Sequence, residues 1–298
     1  MPSLHANGRG IIALIGSMAA YAISDVGTKL VARTYPFGET IAVRGLFTVI
    51  VVGLLLGIFG QWRTLPYACN KRVALRAVLD ALSSTFYIAA LVNMPIANAA
   101  ALNMTHPLIL VALSVLVLSE VVGWRRWSAV VAGFVGVLFI VKPTASAFNI
   151  FALAGLGAPL LGAFRELVTR RLDPTLPSMT ITLASLTALT FVGGGIGIAE
   201  HWQPMGLREA GLLAIAACFF SLATGLVVHA FRTGEISAVA PFRYTFLIWA
   251  GVAGYVSFGE LPDAWSILGA AMIAGSGLYA LHREAVRQPA ARQTGKSP

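Results

Sequence analysis

Residues 38–60 read GETIAVRGLFTVIVVGLLLGIFG. Only Glu39 and Arg44 carry charge in this stretch, and both fall in its first third. At 1.5 Å per helical residue, the stretch reaches across the ~30 Å hydrocarbon core of a bilayer. Its apolar positions are continuous, whereas a strand of a membrane barrel alternates. The segment therefore reads as a membrane-spanning helix. Nine more apolar runs share its character, at 10–31, 73–93, 95–119, 127–142, 150–171, 177–199, 208–230, 235–258 and 263–282. The breaks fall at Pro36, Pro66, Pro95, Pro143, Pro177, Pro204 and Pro262, or at charged clusters. The expectation is an all-α integral membrane protein of ten transmembrane helices.

Composition agrees. Of 298 residues, 57% are hydrophobic and 11% charged, with mean hydropathy +0.80; a soluble domain carries about 25% charged residues. Soluble, disordered and collagen-like chains are excluded. Ten spans take about 200 residues, which leaves no room for a soluble catalytic domain. Cys69 and Cys218 form no metal or disulfide pattern. No cofactor is expected. The net charge of +9 does not indicate nucleic acid, because the basic residues sit between spans.

Those residues set the orientation. Thirteen Lys and Arg fall on one face (Arg9, Arg63, Lys71, Arg72, Arg125, Arg126, Arg170, Arg171, Arg232, Arg283, Arg287, Arg292, Lys296). Three fall on the other (Arg33, Lys142, Arg208), and five lie inside spans (Lys29, Arg44, Arg76, Arg165, Arg243), which accounts for all 21. The positive-inside rule places both termini in the cytoplasm of a cell whose inner membrane holds the chain.

The two halves resemble each other. Asp25, Lys29 and Pro36 match Glu166, Arg170 and Pro177 at an offset of 141. Ile96, Ala100, Thr105 and Glu120 match Ile236, Ala240, Thr245 and Glu260 at 140, and Trp127-Ser128 matches Trp265-Ser266 at 138. Five helices per copy is an odd number, so the second copy enters the membrane inverted. The expected domains are 1–143, the inverted repeat 144–284 and a polar cytoplasmic tail 285–298. That arrangement suits alternating access to a central site.

The stretch from Ala240 to Glu284 resembles the last two helices of EamA-type transporters of the drug/metabolite transporter superfamily. Pro241-Phe242-x-Tyr244, Trp249-Ala250, Gly254, Phe258-Gly259-Glu260, Pro262-Asp263, Gly269-Ala270 and Gly275-x-Gly277-Leu278-Tyr279 carry the match. In the first half Asp25, Lys29, Arg44, Pro107, Glu120, Trp127, Gly133, Gly136 and Lys142-Pro143 fit the same pattern. The branch most similar in appearance holds S-adenosylmethionine carriers. The resemblance implies ten helices, a five-plus-five inverted repeat and secondary transport of small organic solutes. One departure is that Leu247 aligns with Pro107, so a kink in the fourth span need not recur in the ninth.

Ionisable side chains inside a bilayer are costly and are functional candidates. Those embedded are Lys29, Arg44, Arg76, Arg165 and Arg243 against Asp25, Asp80 and Glu166, a surplus of two positive charges. Such a cavity favours a carboxylate. Lys29 and Arg76 lie near helix ends, where snorkelling is the alternative. Arg243, roughly 12 Å into its span, is the main substrate-binding candidate, because guanidinium grips carboxylates bidentately; a structural pair with Glu166 is the competing role. Tyr244 and Trp249 offer rings for stacking or for packing. Asn103, aligned with Arg243, and His106, before Pro107, complete the substrate-binding set. Asp25 and Arg44 sit at similar depth and are expected to pair, with a gating or coupling role as the alternative. Asp25 and Glu166 are the natural carriers if transport is proton-coupled. Arg76 and Asp80, four apart, share a helix face. Ser83, Ser84, Thr85, Tyr87, Thr180, Thr182 and Ser185 supply hydroxyls. Glu120 and Glu260 read as loop-organising caps.

Small residues at four-residue spacing mark helix contacts: Gly53 and Gly57 on the second span, Ala129/Gly133 and Ala132/Gly136 on the fifth, Ala270/Ala274 and Ala271/Gly275 on the tenth. The fifth and tenth helices are thus expected to be scaffold and a possible homodimer interface. The leading function is secondary transport of a small polar metabolite, an amino acid or an S-adenosylmethionine-like zwitterion or carboxylate. The alternatives are an exporter of drug-like cations or a membrane-embedded enzyme on a lipid-linked substrate. The enzyme is disfavoured: no catalytic cluster, phosphate loop or nucleophile elbow is present.

Overall fold

A computed structural model describes residues 4–118, 124–142, 150–169, 171–173 and 176–293. Among them every regular element is helical. The helices are α1 (Leu4–Ala32), α2 (Phe37–Ile58), α3 (Lys71–Asn93), α4 (Ile96–Asn103), α5 (His106–Leu118), α6 (Trp124–Val141), α7 (Ile150–Thr169), α8 (Ser178–Gly197), α9 (Leu207–Thr233), α10 (Ile236–Val239), α11 (Thr245–Phe258) and α12 (Ala264–Gln293). A 3₁₀ helix over Trp62–Cys69 joins α2 to α3, and another, Ala240–Tyr244, joins α10 to α11. Eight segments among the described residues are long and apolar enough to cross a membrane. Glu120 and Arg170 lie outside the described residues.

The helices begin and end where chemistry dictates. Pro36, Pro95 and Pro177 precede α2, α4 and α8 in extended conformation and set the chain direction at each N-terminus. Gly259, at φ +66°, ends α11 in the left-handed region that a side chain disfavours, and its N–H bonds the Tyr255 carbonyl at 2.9 Å. The helix α12 continues past Arg283 into the polar stretch as far as Gln293. On α2, Leu46, Ile50, Leu54 and Ile58 form an exposed stripe four residues apart, while Ile41, Arg44, Thr48, Val52 and Leu56 are buried on another side. An apolar stripe facing outward is what lipid contact requires.

Helices of the first half pair with helices of the second: α1 with α9, α2 with α8, α3 with α7, α6 with α12 and α4 with α11. The α1–α9 contact is fixed by Ser17 Oγ donating to the Ala223 carbonyl at 2.8 Å. The α3–α7 contact is fixed by Ser83 Oγ donating to the Ala158 carbonyl at 2.7 Å. Small residues allow the closest crossings. A Cβ on Gly269 would lie 2.5 Å from the Gly136 carbonyl oxygen, and one on Gly136 would lie 2.7 Å from that of Gly269. The expected α6 position Gly136 thus meets α12 within one chain, at Gly269, while Gly275 of the expected α12 pairs faces open space. Gly269→Val is expected to force these backbones apart and to remove the monodisperse folded peak in detergent size-exclusion chromatography, whereas Gly275→Ala, with nothing within 4 Å, leaves it intact. Gly53 and Gly57 correct the expectation: nothing approaches Gly53, and Gly57 receives the indole of Trp62 from its own connecting segment.

Beyond the glycine contact, Phe139 stacks on Trp265 at 5.5 Å, and Lys142 forms an ion pair with Asp263. The Lys142 ammonium, then the Ser266 hydroxyl and N–H, hold the Asp263 carboxyl down at about 2, so this carboxylate stays charged at any physiological pH.

Candidate functional site

The paired helices enclose a cavity of about 400 Å³. Two interrupted helices supply its middle. Between α4 and α5 the chain turns at Met104 and Thr105, and between α10 and α11 it passes through Ala240–Tyr244. The break expected at Pro107 therefore recurs in the second half despite Leu247. Pro241 opens the second break, and the same threonine device supports both. Thr105 Oγ1 donates to the carbonyl of Leu102 at 2.7 Å, and Thr245 Oγ1 donates to that of Phe242 at 2.6 Å. Each hydroxyl adds a second hydrogen bond to a carbonyl that also accepts the N–H of the same threonine, tightening the turn at the break.

Asn103, His106, Arg243 and Tyr244, all expected at the site, line this middle zone. The Arg243 guanidinium is exposed to the cavity and has no hydrogen bond or ion pair among the described residues. It does not pair with Glu166. The His106 Nε2 and Tyr244 hydroxyl are buried with no hydrogen-bond partner among the described residues. Trp249 is not brought to the site; it is 37% exposed outside the cavity lining.

Towards one end, Asp25 and Arg44 face the cavity but form no ion pair, contrary to expectation. Asp25 Oδ2 accepts from the Tyr87 hydroxyl at 2.6 Å. Arg44 donates to Ser24 Oγ at 3.1 Å and lies 5.0 Å from the Phe220 ring, and its Nε has no partner among the described residues. Tyr21 meets Phe220 edge-on at 5.5 Å and bonds Thr224 at 3.1 Å. Towards the other end, Asp80 sits between two guanidiniums, 2.7 Å from Arg165 and 3.6 Å from Arg76. Arg76 also donates to Ser185 and Thr169. Ser84 and Thr182 line the cavity as well, whereas Thr180 bonds Thr64 at 2.5 Å and Thr85 bonds its own helix. Glu166 is outside the lining and 39% exposed, 4.0 Å from Arg165.

The ionised groups facing the cavity are thus Arg44, Arg76, Arg165 and Arg243 against Asp25 and Asp80. The surplus is again two positive charges, but Lys29 and Glu166 are not among its members. Tyr21, Phe220 and Thr224 were not evident from composition. Their signal is the four-residue spacing of Tyr21 before Asp25, and of Phe220 before Thr224, which puts each pair on one helix face.

Comparison with known proteins fits this architecture. The EamA-like transporter family matches residues 8–142. An S-adenosylmethionine uptake transporter of Rickettsia bellii is 27% identical over 270 residues, covering 90% of this chain and 91% of that one. A riboflavin transporter of Rhizobium johnstonii is 32% identical over 214 residues, covering 72% of this chain and 70% of that one. The chain belongs to the EamA-like transporter family. A solved structure, 15% identical, superposes with a TM-score of 0.62 over 96% of this EamA-like chain and 99% of its own, which supports the fold. The protein is accordingly a multi-pass membrane transporter of small metabolites and not an enzyme.

Proposed function

We propose that this EamA-like transporter is a secondary carrier of the inner membrane, with ten spans in two inverted repeats and both termini in the cytoplasm. Its solute is a carboxylate-bearing or zwitterionic metabolite. The observation that carries the reading is the Arg243 guanidinium, without a hydrogen bond or ion pair among the described residues, on a cavity flanked by two helix breaks at equivalent positions, Thr105 and Thr245. Interrupted helices in corresponding positions of two halves mark solute sites in transporters.

Several features support the inverted repeat. Exchanging the halves turns the α1–α9 pair into the α7–α3 pair, and leaves α2–α8 and α6–α12 unchanged. The serine-to-carbonyl bonds follow, with donor and acceptor exchanged: Ser17 corresponds to Ala158 and Ser83 to Ala223. Trp62 covers Gly57 as Trp202 covers Gly197, both at an offset of 140. Beyond the eight long spans, α6 and the 236–258 segment are the two further crossings. At 18 residues, α6 extends about 27 Å.

A volume of about 400 Å³ suits a solute of nucleoside size better than a free amino acid. The carriers named for S-adenosylmethionine and riboflavin have solutes of that size. The surplus positive charge disfavours a drug-like cation that carries no carboxylate to meet it.

Uptake into proteoliposomes tests the reading. A labelled S-adenosylmethionine-like or other carboxylate solute is expected to enter, and its methyl ester is not. If the inward movement couples to protons, Asp25 is the carrier that faces the cavity. Asp25→Asn should then leave exchange intact and abolish the response to a pH gradient. Gradient-driven uptake that survives the substitution excludes Asp25 from coupling.

A further inference from the structure

One turn beyond Asp25, Lys29 is 1% exposed and does not snorkel. Its ammonium is 2.8 Å from Glu260 Oε1 and donates to Glu260 Oε2 at 3.0 Å and to the Met94 carbonyl at 2.6 Å. Glu260 in turn accepts from Arg33 at 2.9 Å and from the Ile96 N–H, the first amide of α4, at 3.1 Å. Lys29 and Arg33 both lie over the Phe258 ring, at 5.2 and 4.3 Å. One carboxylate therefore ties together the end of α1, the end of α3, the start of α4 and the turn after α11.

This layer sits at one end of the cavity. The lining extends no further than Asp25 on α1, Ile88 on α3 and Phe246 on α11, and so stops short of Lys29, Met94 and Glu260. At the other end it continues on three helices to Arg76, Arg165 and Thr182, each within one and a half turns of a helix terminus, whereas at the Lys29 end only α2, at Ile41, and α3, at Ile88, bring it that near. Side-chain exposure also rises across the layer, from 1% at Lys29 through 17% at Glu260 to 47% at Arg33. The layer is the barrier between the cavity and the face that holds Arg33.

We infer that the Lys29–Glu260–Arg33 cluster is the gate of that face, closed here and opened in the transport cycle by separation of α1 from α11. A buried ion pair is well suited to the task. Its mutual attraction is largely offset by the hydration given up when it forms, so water entering a parted layer restores most of what separation costs. An apolar plug of equal volume gains nothing on wetting and stays shut. Lys29 and Glu260 are thus positioning residues for access and do not touch the solute. The inference rests on the alternating-access reading above.

The test uses Ser84→Cys as a cavity reporter, with Cys69 and Cys218 replaced by alanine. A membrane-impermeant maleimide is applied from each side of sealed vesicles. The reporter is expected to label readily from the face near Arg76 and slowly from the face near Arg33. Glu260→Gln, which strands a buried ammonium, should raise labelling from the Arg33 side about tenfold or more. The paired substitution Lys29→Met with Glu260→Leu should do the reverse, suppressing both that labelling and transport in a stably folded protein. A purely structural contact would not move accessibility in opposite directions. Arg33→Gln, at the surface, gives a milder rise in labelling and serves if Glu260→Gln fails to fold. Labelling from the Arg33 side that is unchanged in all three variants overturns the gate alone. A reporter that labels from neither side in any variant overturns the alternating-access reading itself.

Discussion

Arg243→Ala is expected to raise the KM for a carboxylate solute by roughly 10- to 150-fold while leaving the protein folded. The range follows from the 1.5–3 kcal/mol of a hydrogen bond to a charged group. The asymmetry between transport and folding has a structural cause. Arg243 has no hydrogen bond or ion pair among the described residues, so its removal orphans no protein group. Truncation even relieves the surplus positive charge shared with Arg44, Arg76 and Arg165. Arg243→Lys keeps the charge but loses the planar fork, and an intermediate KM is expected. The measurement is the concentration dependence of uptake at matched protein content, with the thermal midpoint in detergent as control. An unchanged KM in Arg243→Ala removes the residue from the solute site.

The second large effect is on stability. Asp80→Asn should lower the thermal midpoint by about 5 °C or more, from a loss of about 2–3 kcal/mol. Asp80 is the carboxylate between Arg165 and Arg76, whose side chains are 27% and 15% exposed. Without it two guanidiniums face each other across a partly dry cavity. The cost is set below that of a fully buried pair, because cavity water screens part of the repulsion. Arg165→Met added to Asp80→Asn removes one of the two charges and should recover much of the loss. A double variant no more stable than the single one would show that Asp80 acts by packing rather than by charge.

The apolar helices were legible because lipid imposes both length and continuous apolarity: the predicted runs meet the helices to within a few residues except at α1 and the α12 tail, and eight segments among the described residues are long and apolar enough to cross a membrane. Side-chain direction was harder. Asp25 and Arg44 are at comparable depth, but depth does not give the angle around the helix axis, and Asp25 turns instead to Tyr87. Glu166 shows the same limit: neighbouring helical residues point about 100° apart, and it is Arg165 that faces the cavity. Lys29 sits one turn from a helix end, where snorkelling and pairing leave the same trace in sequence. The second helix break was hidden because Leu247 replaces the expected proline, while Pro241 and Thr245 do the work from other positions.

The contacts between α6 and α12 recur at every turn: Gly136 against Gly269, Phe139 on Trp265, Lys142 with Asp263. Backbones that touch at one glycine, and are pinned by a ring stack and a charge at successive levels, cannot slide past each other. They make a fixed axle. On the alternating-access proposal, rocking of the remaining rods would be rotation about this shaft, and substitutions that slow turnover without weakening solute capture should cluster along it.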